Sequence, residues 1–211
     1  MTTVLLVDDH RLVRAGLRML LESTPDLQVI AEAANGLDAI RLAAEHNPDL
    51  VLMDLRMPGL DGVEATKQIT AAHPTSKVLV LTTFGDDDHL FPALAAGAAG
   101  YLVKDIEPDD LIAAIRRTID GDILFSPNVL RRLVDRALTA APSAGDSPVT
   151  VDLTPREREV LDLVGDGCSN QEISDGLHLS VTTVKKHIAN LMDKTGCDNR
   201  VRLAMFAVRS S

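Results

Sequence analysis

The chain changes its hydrophobic period about two thirds of the way along. In the first part, short and mostly apolar runs at 4–7, 29–32, 50–53, 78–81 and 100–103 read as strands buried on both faces. Between them, 13–21, 36–45 and 64–70 carry apolar residues at helical spacing. Alternating strands and helices predict a parallel sheet covered by helices on both faces, a five-stranded, doubly wound α/β unit of flavodoxin-like type. Sites in such sheets lie at the carboxyl ends of strands. Three of the predicted strands run into polar residues there: Asp8-Asp9, Asp54 and Thr82.

Residues 127–138 have a helical pattern, and 139–150 are rich in Ala, Pro, Ser and Gly, as expected of a flexible linker. Helix signals then become explicit. Thr154-Pro155-Arg156-Glu157 is a capping box with proline at the first helical position, and Gly165 and Gly167 end that helix. A second capping box, Ser169-Asn170-Gln171-Glu172, opens a helix to about Leu177. Ser180 caps a third helix that runs to about Thr195 before Gly196, and a fourth covers about 199–208. Two helices joined by the turn 178–180 predict a helix-turn-helix within an all-α unit of four helices. The expected division is therefore 1–125, a connecting stretch over 126–150, and 151–211.

Composition narrows the function classes. No apolar run is long enough to span a bilayer, and no signal-peptide pattern precedes the first strand. Cys168 and Cys197 are too few and too far apart for a disulfide framework or a zinc site. A cytoplasmic protein without membrane association is expected. The net charge of -10 belongs to the first part, where residues 1–125 hold ten Lys and Arg against twenty Asp and Glu. Residues 151–211 hold eight against nine, so any nucleic-acid contact must come from a local basic face.

Asp8, Asp9 and Asp54 converge if the first and third strands are neighbours. Three carboxylates at one point repel each other unless a hard divalent cation such as Mg2+ joins them. A carboxylate beside such a cation can act as a nucleophile toward a phosphoryl group. Thr82 can hydrogen-bond a phosphoryl oxygen, and Lys104 can pair with another. A Mg2+-dependent phosphatase with an Asp nucleophile is an alternative, but enzymes resembling the haloacid dehalogenases carry a second acid two residues after the nucleophile, where Arg56 stands here. A first unit that pairs copies without phosphate is the other alternative. Pro92 falls inside the fourth predicted helix of the sheet unit, which should therefore start late or kink.

Leu6-Val7-Asp8-Asp9-His10, Met53-Asp54-Leu55-Arg56-Met57-Pro58-Gly59-Leu60-Asp61-Gly62, Leu81-Thr82-Thr83-Phe84 and Gly100-Tyr101-Leu102-Val103-Lys104-Asp105 resemble the receiver domain of two-component systems. The resemblance implies that Asp54 accepts phosphate from a sensor histidine kinase. It implies that Asp9, Asp54 and the backbone carbonyl of Arg56 bind Mg2+, with Asp8 acting mainly through water. Thr82 and Tyr101 would be the switch pair and Lys104 the phosphate-sensing cation. Beyond Mg2+-dependent self-phosphorylation and slow dephosphorylation, no enzyme activity is expected.

On the third helix of the second part, about 100° per residue puts Val181, Val184, Ile188, Leu191 and Met192 on a core-facing side. Thr182, Lys186, Ala189, Asn190 and Asp193 point outward, flanked by Thr183, Lys185 and His187. Lys185 and Lys186 are suited to guanine edges or phosphates, and Lys194 and Arg200 to the DNA backbone. Leu153 to Leu161, Ser169 to Ile173 and Ser180 to Ile188 resemble the LuxR-type (NarL/FixJ) output domain. That resemblance implies double-stranded promoter DNA as partner, with Lys185, Lys186 and Ala189 in the major groove. The last helix is apolar on two sides, one carrying Val201, Met205 and Val208 and the other Leu203, Phe206 and Ala207. One side can finish the core. The other implies a homodimer formed on phosphorylation, as in that family.

Overall fold

A computed structural model of the chain describes residues 1–83, 87–122, 124–125, 153–197 and 200–210, and divides into two compact units, Met1–Asp120 and Gly121–Ser211. The expected helix and linker over 126–150 lie outside the described residues.

In the first unit β1 (Thr2–Val7), β2 (Leu27–Ala33), β3 (Leu50–Met53), β4 (Lys77–Thr82) and β5 (Gly100–Val103) alternate with five helices. These are α1 (Arg11–Glu22), α2 (Gly36–His46), α3 (Gly62–Ala72), α4 (Asp87–Ala95) and α5 (Pro108–Ile119). The strands pair in parallel in the order β2-β1-β3-β4-β5. A two-residue strand, β6 (Leu124–Phe125), belongs to the second unit. Val4 to Val7 and Leu50 to Met53 are buried at every position, which is why those strands read as unbroken apolar runs. Two of these helices begin at a side-chain cap and a third at a proline. Asn35 accepts from the Asp38 N–H and Asp61 from the Glu64 N–H, and Pro108 opens α5.

The fourth helix does not start late. It runs from Asp87 through Pro92, and the Ala96 N–H donates to the Pro92 carbonyl at 2.9 Å. Pro92 lacks the N–H that its turn would need, but the helix continues around it.

The second unit contains α6 (Pro155–Gly165), α7 (Asn170–Leu177), α8 (Val181–Thr195) and α9 (Arg200–Ser210). Both expected capping boxes form. Thr154 and Glu157 exchange hydrogen bonds, as do Ser169 and Glu172. His178 ends α7 in the left-handed region at φ 54°, which turns the chain into α8, and Ser180 caps that helix. Val160, Leu161, Val164, Ile173, Val184, Ile188, Leu191, Leu203 and Ala207 form the core of this unit.

Candidate functional site

Asp8, Asp9, Asp54, Thr82 and Lys104 stand at the carboxyl ends of four adjacent strands. Register aligns Val7 with Met53 and Met53 with Val80, so the residues that follow β1 and β3 emerge side by side. The ladder continues one step beyond the strands. The Asp54 N–H donates to the Val7 carbonyl at 2.8 Å, and the Lys104 N–H donates to the Thr82 carbonyl at 2.7 Å. These bonds fix the backbone on which the nucleophile candidate and the cation are mounted.

Lys104 joins the acids. Its Nζ lies 2.6 Å from Asp8 Oδ2 and 2.8 Å from Asp54 Oδ2. Asp8 and Asp54 are only 2% and 4% exposed, so neither carboxylate could be left there unpaired without a large penalty. Burial pushes the Asp54 carboxyl above its usual range, against the opposing hydrogen bond and charge of Lys104, and Asp8 adds to the rise. Burial also works against the Lys104 ammonium, but its hydrogen bonds to Asp54 and Asp8 outweigh that and raise its pKa.

Asp9 stands at the rim. Its Oδ1 is buried and has no hydrogen-bond partner, although His10 Nδ1 lies 2.7 Å away. One donor atom from each of Asp8, Asp9, His10 and Asp54 lies within 4.8 Å of all the others. A buried oxygen left unsatisfied among carboxylates fits a divalent cation. Thr82 and Tyr101 are both buried, Thr82 at the end of β4 and Tyr101 within β5 opposite Val80. The Arg56 N–H donates to Asp54 Oδ1 at 3.4 Å.

The pocket is positioned by two neighbours. The Arg14 guanidinium donates to the Asp8 carbonyl at 2.5 Å and to Glu32 at 3.2 Å, which braces the loop after β1. Gly62, the first residue of α3, fits against the Asp54 backbone so closely that a Cβ there would stand 2.1 Å from the Asp54 carbonyl oxygen.

On α8, Val184, Ile188 and Leu191 are buried and Met192 packs against them, while Val181 is only half-buried. Thr182, Lys185, Lys186, Ala189 and Asn190 are exposed. Thr183 is half-buried, with its hydroxyl 2.8 Å from that of Ser180 at the helix cap. Lys194 pairs with Glu157 at 2.7 Å. That ion pair and the Thr154 N–H hold the Glu157 carboxyl well below its usual range, at about 2.

The expectation that Arg200 meets a DNA backbone is corrected. Its side chain is buried, and it donates to the Cys168 carbonyl at 2.7 Å and to the Asn170 side chain. On α9, Leu203 and Ala207 enter the core and Phe206 packs against it. Met205 is half-buried, and the side chains of Val201 and Val208 lie outside the described residues.

Among the described residues no helix is long and apolar enough to cross a membrane. An acid pocket on a parallel sheet, joined in one chain to a helix-turn-helix, defines a receiver-type regulator. Residues 4–116 match the response regulator receiver domain, and residues 151–207 match the bacterial regulatory proteins of the luxR family. The transcriptional regulatory protein LiaR of Bacillus subtilis (strain 168) is 40% identical over 211 residues, covering 100% of this chain and 98% of that protein. Among solved structures, the response regulator ChrA of a heme-sensing two-component system is 35% identical with a TM-score of 0.54, covering 99% of this chain and 96% of that one. RcsB of Salmonella enterica serovar Typhimurium, bound to promoter rprA with the phosphomimetic BeF3-, is 26% identical with a TM-score of 0.56 and 100% coverage of both chains. The chain belongs to the NarL/FixJ family of two-component response regulators, transcriptional regulators with a LuxR-type DNA-binding domain.

Sequence reasoning did not single out His10, Arg14 or the Glu157–Lys194 pair. His10 was within reach, as the next residue after two acids at a strand end. Arg14 and Glu157 were not, because their partners are set by how α1 meets β2 and how α6 meets α8.

Proposed function

We propose that this regulator is switched by phosphorylation of Asp54, with a sensor histidine kinase as donor, and that the phosphorylated protein binds promoter DNA as a homodimer. It would work in the cytoplasm. The observation that carries the reading is the convergence of Asp8 and Asp54 on Lys104 Nζ beside the unsatisfied Asp9 oxygen. Asp9, Asp54 and the Arg56 carbonyl would hold Mg2+, with Asp8 acting through water. When bound, Mg2+ offsets the negative charge that develops as the phosphoryl group moves.

The Asp54 carboxylate attacks phosphorus, a P–O bond forms, and the P–N bond to the donor histidine breaks. Lys104 then pairs with a phosphoryl oxygen, a charge-assisted contact that takes over from its ion pair with Asp54. The Thr82 hydroxyl donates to another phosphoryl oxygen, and Tyr101 repacks as Thr82 moves. Small phosphodonors serve the same carboxylate, and hydrolysis of the acyl phosphate resets it slowly.

For the output, Lys185, Lys186, Thr182, Thr183, Ala189 and Asn190 form the DNA face of α8. Lys194 lies at its end, where the ion pair with Glu157 reduces its freedom to reach phosphate. Ala189 offers only an apolar contact, suited to a thymine methyl. Residues 151–211 carry a net charge of -1, so one copy binds weakly and pairing through Val201, Met205 and Val208 supplies the second half-site contact. Phosphorylation acts on that pairing. The similar RcsB chain was solved bound to a promoter in the presence of a phosphomimetic, which supports promoter DNA as the partner in this reading.

Incubation with a small phosphodonor and Mg2+, followed by mass mapping, is expected to place one phosphoryl group on Asp54. Equal uptake by Asp54→Asn would sink the assignment.

A further inference from the structure

His10 is left without a task by the roles assigned above. It occupies the N-cap of α1, yet its side chain makes no capping hydrogen bond. Its backbone N–H donates to Asp8 Oδ1 at 2.8 Å, which ties it to the pocket. Its Nδ1 lies 2.7 Å from Asp9 Oδ1 and 3.6 Å from Asp8 Oδ1, while the ring itself stays 70% exposed. The Asp9 oxygen beside it is buried and accepts no hydrogen bond.

The spacing fits a shared ion. For metal–ligand bonds of about 2.1 Å, neighbouring octahedral donors stand roughly 3.0 Å apart and opposite ones roughly 4.2 Å. Nδ1 and Asp9 Oδ1 are near the first separation, and the donors of Asp8, Asp9, His10 and Asp54 all lie within 4.8 Å of one another. The exposed ring gives up little hydration on binding, and its anchored backbone keeps Nδ1 at the rim.

The geometry points to His10 as a nitrogen ligand of this pocket, which gives it a preference for a borderline first-row ion of the cobalt-to-zinc class over Mg2+. This rests on the reading of Asp8, Asp9 and Asp54 as a divalent-cation site. Mg2+ takes oxygen ligands and gains little from imidazole, whereas Co2+, Ni2+ and Zn2+ bind imidazole well. The competing account is an imidazolium paired with the Asp9 carboxylate. Such a cation would oppose every divalent ion alike.

The test uses the full chain at one fixed pH. Co2+ binding is followed by its visible absorption, counting only the signal that excess Mg2+ displaces, and Mg2+ binding is measured by calorimetry. The wild-type protein is expected to bind Co2+ at least about tenfold tighter than Mg2+, and His10→Ala to reduce that ratio about tenfold. An unchanged ratio in His10→Ala, with Mg2+ still bound, overturns the role of His10 alone. A gain in affinity for both ions in that variant also overturns it, in favour of the imidazolium. Failure of the wild-type chain to bind Mg2+ overturns the cation-site reading, and this inference with it.

Discussion

Gly62→Ala tests whether α3 sets the position of the Asp54 backbone. The added Cβ would stand 2.1 Å from the Asp54 carbonyl oxygen, 2.7 Å from Leu55 Cα and 2.9 Å from the Asp54 carbonyl carbon. Ordinary contact begins near 3.4 Å, so something must move by about 1.3 Å. All three obstacles are backbone, and none can turn aside as a side-chain tip would. The helix is held on its own side as well. The Gly62 N–H donates to the Leu55 carbonyl at 3.0 Å, and the Thr66 hydroxyl donates to the Gly62 carbonyl at 2.6 Å. Overpacking of this kind costs about 1–3 kcal/mol, and the upper end applies where only backbone can yield. A misplacement of about 1 Å at a reacting group costs on the order of 10²-fold in rate. The assay pairs urea unfolding with the initial rate of Asp54 phosphorylation from a small phosphodonor at saturating Mg2+. Gly59→Ala is the control, since it adds a Cβ in open space at φ 83° and carries only the local backbone cost of about 1–2 kcal/mol. Wild-type phosphorylation and stability in Gly62→Ala would mean that α3 shifts freely without disturbing the pocket, and so does not set the Asp54 backbone.

Other perturbations follow from the same contacts. Lys104→Ala leaves Asp8 and Asp54 buried without their cation, an expected loss of about 3–5 kcal/mol at neutral pH. Added Mg2+ should raise the melting temperature of that variant more than that of the wild type, and equal shifts would contradict the shared-cation account. Glu157 has its folded pKa depressed to about 2, so its contribution is present above the ordinary glutamate pKa of 4.5 and is lost as pH falls toward 2. Thermal unfolding across that range should show the second unit losing stability in the wild type and a flatter response in Glu157→Gln. His178→Gly relieves a left-handed residue at a cost of about 1–2 kcal/mol, partly offset by about 0.5–1 kcal/mol of glycine chain entropy. A gain of roughly 0.5 kcal/mol is expected in denaturant unfolding, and a loss would show that the His178 side chain supports the turn.

Much of the fold was legible because each device was local. Buried parallel strands appear as unbroken apolar runs, and the capping boxes at Thr154 and Ser169 declare their helices within four residues. The acids were legible for a related reason, since strand ends in a parallel sheet gather on one edge. Angle alone also placed Thr182, Lys186 and Asn190 outward on α8, as they stand.

What escaped depends on neighbours distant in sequence. Periodicity gives the face of a helix but not the residue opposite it, so Arg200 read as a surface cation although it fills its hydrogen bonds inside the domain. Lys194 likewise finds Glu157, 37 positions away. The strand β6 is too short for any period to register. Pro92 does not delay the start of α4, where the propensity of one residue gives way to the packing of Leu90, Ala93 and Leu94 in the core.

The central claim is that phosphate on Asp54 controls DNA binding by pairing two copies. The direct measurement is promoter affinity, with mass in solution, for wild-type protein and Asp54→Asn with and without phosphodonor and Mg2+. The account predicts that phosphodonor converts the wild type to a dimer and tightens its binding, with no change in Asp54→Asn. A wild-type protein whose mass and DNA affinity ignore the phosphodonor, or an Asp54→Asn variant that responds like it, would contradict the account.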